Sequence, residues 1–153
     1  MRTCGGCALC CSLVAVPELA KPAGVECAHG VPGGCGIFGL PTRPRACLAY
    51  RCAWLFNEAW PESLRPDRCH VVFEPFGDRC IAAAVDPAYP DDWRAGVARR
   101  AIDRLASAGF AVVVVVGNVK HVILPAGRTP SDVWTQVDAG LRSAWPPPPT
   151  PPI

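Results

Sequence analysis

Several residue types are scarce in this chain. Its 153 residues hold one Met, two Tyr and three His, and only Lys21 and Lys120 among the fifteen basic residues are lysines. The formal charge is +2. So even a balance gives neither nucleic acid nor an anionic membrane the clustered positive charge that such partners reward. No run approaches the ~18 apolar residues of a membrane-spanning helix. There is no Gly-rich cofactor loop of recognisable type, no acid/base pair at useful spacing, no C-x3-C-x2-C run of the kind tied to radical S-adenosylmethionine chemistry, and no internal repeat. Disorder is excluded for most of the chain, because 50% of residues are hydrophobic and 18% charged, enough to bury a core.

Cysteine, by contrast, is abundant, with ten in all. Dense cysteine means disulfides in an oxidising compartment or metal in a reducing one. Arg2 followed by ALCCSLVAV makes a poor signal peptide, since the apolar stretch is short, carries two cysteines and lacks a clean small-residue cleavage site. The expectation is a cytoplasmic protein that binds metal. Eight cysteines lie between Cys4 and Cys52, whereas Cys69 and Cys80 stand apart and read as buried strand thiols.

The distribution divides the chain. Residues 1–68 are rich in Gly and Pro, with turn signals at KPAG, HGVPGG and LPTRPRA, and have little periodicity. Such a stretch builds little core of its own, and metal–thiolate bonds are the expected support. Residues 69–145 read as β-β-α-β-β-α. CHVVFEPF and RCIAAAVD form a hairpin turning at Pro75–Asp78. A helix follows with Asp91 as cap, Gly109 at C′, and Trp93, Val97, Ala101, Leu105 and Ala108 on the buried face. Arg94, Arg99, Arg100 and Arg104 fall largely on its solvated side. Val112–Val116 is a strand buried on both faces, turned back at Gly117-Asn118. A short helix starts at Thr129-Pro130, with Trp134 and Val137 inward. Residues 146–153 form an extended Pro-rich tail. The expected fold is α+β, a loop-rich cysteine module packed on a mainly antiparallel sheet.

The candidate ligands are Cys4, Cys7, Cys10, Cys11, Cys27, Cys35, Cys47 and Cys52. Two-residue spacing lets successive thiolates turn onto one metal or cluster. Cys4-x2-Cys7-x2-Cys10 also begins the pattern that holds a [4Fe–4S] cluster, but Val14 stands where the next cysteine of that run belongs, so a fourth ligand must come from elsewhere. Cys10 and Cys11 are adjacent and point in different directions. They serve two sites, or two metals of one cluster. Cys47 and Cys52, five apart, would differ by about 140° on a regular helix and do not converge unless the backbone is irregular. The pairing stays open. His29, two residues after Cys27, is a ligand candidate or a donor to a thiolate. His70 and His121 fall in strands. Arg2, Arg43, Arg45 and Arg51 are available to offset thiolate charge.

In CGGCALCC, Cys27-Ala-His29, CGIF, RPRAC, CAWL and LRPD, the first half of the chain resembles the CxxCxxCC family of zinc- or iron-chelating proteins. Phe38 and Leu48 stand where the family commonly has tyrosine and arginine. Flagellin lysine N-methylases carry a similar cysteine set, for which an iron–sulfur cluster is the implied cofactor, in much longer chains. The resemblance implies metal binding, with zinc or an iron–sulfur cluster as cofactor. The expected function is structural or adaptor metal binding, with metal ions and a protein as partners. The alternative is an iron–sulfur enzyme that modifies a protein side chain, or a redox protein. Thiol exchange through Cys4-Gly-Gly-Cys7 fits less well, since two glycines and further cysteines do not suit a redox motif that opens a helix.

Overall fold

The computed structural model describes residues 2–140; the expected Pro-rich tail and residues 141–145 lie outside them. Six strands and six helices follow one another. The first half holds α1 (Leu9–Leu13), β1 (Gly30–Val31), β2 (Gly34–Cys35), α2 (Arg45–Ala49), α3 (Ala53–Phe56) and α4 (Pro66–Cys69). The second holds β3 (Val71–Phe76), β4 (Cys80–Val85), α5 (Gly96–Ser107), β5 (Ala111–Val116), β6 (Val119–Ile123) and α6 (Pro130–Gly140). The class is α+β, as the patterning predicts.

The main sheet runs in sequence order, β3-β4-β5-β6. Its two hairpins are antiparallel, while β4 and β5 pair in parallel through the α5 crossover. Val112–Val115 are all nearly inaccessible, which is why that run carries no polar alternation. Each face has its own cover. Val71, Phe73, Ile81, Ala83, Val85, Val112 and Val114 pack with Ile102 and Ala98 of α5 and with Trp54 and Leu64 from the first half. On the opposite face Cys80, Ala82, Val113 and Val115 meet Val133 and Val137 of α6. Farther along that face Val72 and Ala84 meet Leu13 of α1, with Leu9, Tyr50 and Cys52 beside them. Full burial of one such aliphatic or aromatic side chain contributes roughly 1.5–3 kcal/mol. The loop-rich half therefore leans on the sheet from both sides.

Four local expectations need correction. The helix after Asp91 is not continuous. Asp92–Arg94 forms a 3-10 turn, Ala95 is extended, and α5 begins at Gly96 with φ +63°. Trp93 is still buried, reached from the turn. The β3–β4 turn is Gly77–Arg79, so Pro75 and Phe76 belong to the strand, with Pro75 opposite Ile81. Pro is tolerated there because β3 is an edge strand. Trp134 is 39% exposed, and Val133 takes the inward place with Val137. Cys69 closes α4 rather than opening a strand, and His70 follows in the left-handed region at φ +57°. Cys69 and Cys80 are buried, as expected of small apolar side chains.

The start of α6 follows its sequence signal. Thr129 and Asp132 exchange hydrogen bonds, the Thr129 N–H and hydroxyl donating to Oδ2 of Asp132 at 3.1 and 2.7 Å.

Candidate metal centre

Four short stretches bring the thiols together. The first is Cys4–Cys11. Cys7 N–H donates to Cys4 O at 3.0 Å, closing a turn with Gly5 at φ +55° before α1 begins. Arg2 anchors this stretch. Its guanidinium donates to the carbonyls of Trp54 and Asn57 at 2.8 and 3.0 Å, to Glu58 at 3.1 Å and also to Trp60, and stacks on the Trp54 ring at 4.5 Å. It therefore ties the chain start to α3 and its C-terminal end, where helix carbonyls lack partners. Arg65 donates to Cys4 O at 3.4 Å and pairs with Asp67 at 2.9 Å.

The second stretch carries Cys27 and Cys35. Gly30 N–H donates to Cys27 O at 2.9 Å, and Gly30 pairs with Cys35 in the β1–β2 hairpin. The third carries Cys47 in α2, whose first turn is held by Glu18. The N–H groups of Arg45 and Ala46 donate to Oε1 and Oε2 of Glu18 at 3.0 and 2.9 Å. The fourth is Cys52, which precedes α3. Tyr50, between them, is extended at ψ 130°, so the backbone breaks between Cys47 and Cys52.

Seven of the eight expected thiols, Cys4, Cys10, Cys11, Cys27, Cys35, Cys47 and Cys52, line one cavity of about 230 Å³. Cys7 is the exception; it lies half-buried outside the lining. His29 does not line the cavity either, and its carbonyl accepts from Gly36 N–H at 2.9 Å. The rest of the wall is Val14, Ala15, Val16, Leu19, Ile37, Ala46 and Leu55, with Arg43, Tyr50 and Glu74 as its polar members. All ten cysteines stand as free thiols. Among the described residues, no three Cys, His, Asp or Glu side chains are closed into a metal-ligating group. The thiols are gathered around a space rather than collapsed onto a point.

The electrostatics of the wall are uneven. Cys10 and Cys11 interact directly. The hydrogen bond between them pulls Cys11 down to about 6 and, with burial, pushes Cys10 far up. Lys21 and Arg43 help to lower Cys11. Burial raises Cys7, Cys47 and Cys52. Lys21 is 7% exposed, the sole charged residue in the buried set among the described residues. Its ammonium donates to Val14 O at 2.6 Å, Pro22 O at 3.2 Å and Ser12 O at 3.4 Å. Burial lowers its pKa, while Cys27, Cys11, Cys10 and Cys47 act in the opposite sense. An isolated buried ammonium is costly, whereas one facing thiolates is compensated.

This donor set suits a soft or borderline metal, for which clustered thiolates are the natural ligands. The charge-offsetting cations are Lys21 and Arg43. Arg2 is committed to carbonyls, and Arg45 and Arg51 are exposed.

Sequence reading did not single out Lys21, Tyr50 or Glu74 as members of the site. Glu74 projects from β3 on the face that α1 covers, and Tyr50 lies beside it. Burial raises both. A polar Glu at position 74, between Phe73 and Pro75 in an apolar strand, is the one signal that was available.

Compared with known proteins, the chain matches no family model, no curated protein and no solved structure. Among the described residues, no helix is long and apolar enough to cross a membrane.

Proposed function

We propose that this chain is a metal-binding protein that uses Cys4, Cys7, Cys10, Cys11, Cys27, Cys35, Cys47 and Cys52 as thiolate ligands for zinc or an iron–sulfur cluster. The role is chiefly structural and adaptor-like. The observation that carries the reading is the convergence of seven of these thiols, from four separate stretches, on one cavity. The buried Lys21 ammonium near them supports it, since thiolates would add opposite charge to the three backbone carbonyls that already hold it. The motif-level likeness to the CxxCxxCC family points the same way. Zinc, when bound, would crosslink the loops through metal–thiolate bonds, and a cluster would add electron-transfer capacity. The protein's own residues position the thiols. Arg2 and Arg65 hold the first stretch, the β1–β2 hairpin the second, and Glu18 the third.

The chemistry requires a reducing compartment, so we assign the protein to the cytoplasm. The exposed Phe38, Leu40, Leu48 and Phe56 offer apolar side chains to a protein partner, and the formal charge of +2 argues against nucleic acid or an anionic membrane as that partner.

An iron–sulfur enzyme or redox protein is the second reading. The presence of Tyr50, Glu74 and Arg43 in the thiol wall favours it, because a closed structural site has no use for a half-buried carboxyl and phenol. One experiment tests both. Protein purified anaerobically is weighed by native mass spectrometry and analysed for metals and acid-labile sulfide. Zinc without sulfide supports the structural reading, and iron with sulfide the cluster. A chain that carries neither, and takes up neither on reducing, anaerobic reconstitution, ends the metal-binding reading.

A further inference from the structure

We propose that the eight thiols are two four-cysteine sites set back to back: Cys4, Cys7, Cys10 and Cys52 form one, Cys11, Cys27, Cys35 and Cys47 the other, and the Cys10–Cys11 peptide joins them. The inference rests on the metal-binding reading above and deepens it.

The backbone anchors sort the thiols. Arg2, two residues before Cys4, grips the carbonyls of Trp54 and Asn57, two and five residues after Cys52. Arg65 donates to Cys4 O. Cys4 and Cys7 share one turn. The start of the chain and the start of α3 are thus one assembly. Cys52 also packs beside Leu9 and Leu13, which flank Cys10 in α1.

A different set of anchors holds the second group. Cys27 and Cys35 are the two sides of the β1–β2 hairpin. Cys47 sits in α2, fixed by Glu18 to the Pro17–Leu19 turn. That turn is closed by the Val16–Lys21 bridge, which brings Lys21 to these thiols. A second hollow, of about 320 Å³, is lined by Cys11 and Cys27 and by no other cysteine. Cys11 therefore turns toward the hairpin, and Cys10, which does not line this hollow, turns away from it. Consecutive helical residues lie about 100° apart, so the two side chains of α1 face different centres.

The two sites also differ in surroundings. Lys21 and Arg43 flank the second, whereas Leu9, Leu13 and Val72 stand near the first.

Cadmium-113 loaded onto the reduced, metal-free full chain tests the division without mutation. Cadmium takes thiolate sites and reports its ligands through scalar coupling to the cysteine β-protons. The expected result is two resonances, one correlated with Cys4, Cys7, Cys10 and Cys52, the other with Cys11, Cys27, Cys35 and Cys47. Correlations from Cys47 and Cys52 to the same cadmium, or one cadmium per chain, overturn the division. Paired variants give a second readout by native mass spectrometry. Cys4→Ser with Cys52→Ser should lose one of the two cadmium ions, and Cys47→Ser with Cys52→Ser both. Equal losses from the two pairs overturn the division while leaving metal binding in place. A wild-type chain that takes up no cadmium overturns the metal-binding reading itself.

Discussion

Glu18 caps the backbone N–H of Ala46 at 2.9 Å, across twenty-eight positions of sequence. The neighbouring N–H of Arg45 donates to the other carboxylate oxygen at 3.0 Å. A distant carboxylate thus does for α2 what a local cap residue does elsewhere, and Cys47 lies one residue further on. Pro44, in the N-cap position, has no side-chain acceptor to offer.

Loss of that cap should be felt in both stability and metal retention. Glu18→Ala is expected to destabilise the protein by about 1 kcal/mol, the usual cost of removing a side-chain cap. Urea unfolding of the metal-loaded protein measures it. An unchanged midpoint would show that the cap holds nothing.

Lys21 favours thiolate over thiol at Cys11. In Lys21→Met the ammonium is gone and Cys11 should titrate at higher pH. Metal binding displaces protons from thiols, so the variant should need a higher pH to compete with a chelator for zinc. Competition titrations from pH 6 to 8 measure the shift. A variant with the wild-type pH profile would remove Lys21 from the account.

In the metal-free protein Cys11 has its pKa depressed to about 6 by the Cys10 hydrogen bond, with Lys21 and Arg43 assisting. A depressed folded-state value means that the stabilising contribution is full above the unfolded value. It is lost as pH falls through about 6. At pH 7 Cys11 should therefore be the first thiol alkylated by iodoacetamide, and Cys10 among the last. Peptide mass mapping across pH 5 to 9 decides it. Equal labelling of Cys10 and Cys11 at pH 7 would contradict the assignment.

Glu74 titrates in the opposite sense. Burial raises its pKa, so the folded protein prefers the neutral carboxyl. The associated stability is present below the unfolded value and is lost as pH rises through the folded one. Glu74→Gln should leave the metal-free protein unchanged near pH 4 and make it more stable at pH 8. Thermal unfolding at the two pH values tests this, and a variant less stable at pH 8 than wild type would show that the Tyr50 hydrogen bond to the ionised carboxylate outweighs burial.

Much of the fold is legible in residue order. The Val112–Val116 run, lacking any polar alternation, declares a strand covered on both faces. Gly109, at φ +87°, stops α5 where a left-handed residue is needed. Thr129-Pro130-Ser131-Asp132 announces a capping box that the structure contains. The parallel pairing of β4 with β5 was not legible, because alternation reports which residues are buried and not which strand lies alongside. The break at Ala95 was hidden as well. Trp93 keeps a helical spacing to Val97 yet is delivered by a separate 3-10 turn.

The sequence by itself determined the donor chemistry. Eight cysteines at close spacings, in a stretch too poor in periodic apolar residues to hold itself together, are what makes thiolate ligation the proposed chemistry. Only the tertiary structure decided which of them face a common space, and with what company. Spacing constrains neighbours in the chain, whereas convergence depends on how remote segments are pinned. Arg2 on the carbonyls of α3, Glu18 on α2, and the hairpin at Gly30–Cys35 are contacts between segments that the order of residues does not relate. The same holds for Lys21 and Glu74. Each is an ordinary polar residue in the sequence and becomes part of the site only because the folded chain buries it against the thiols.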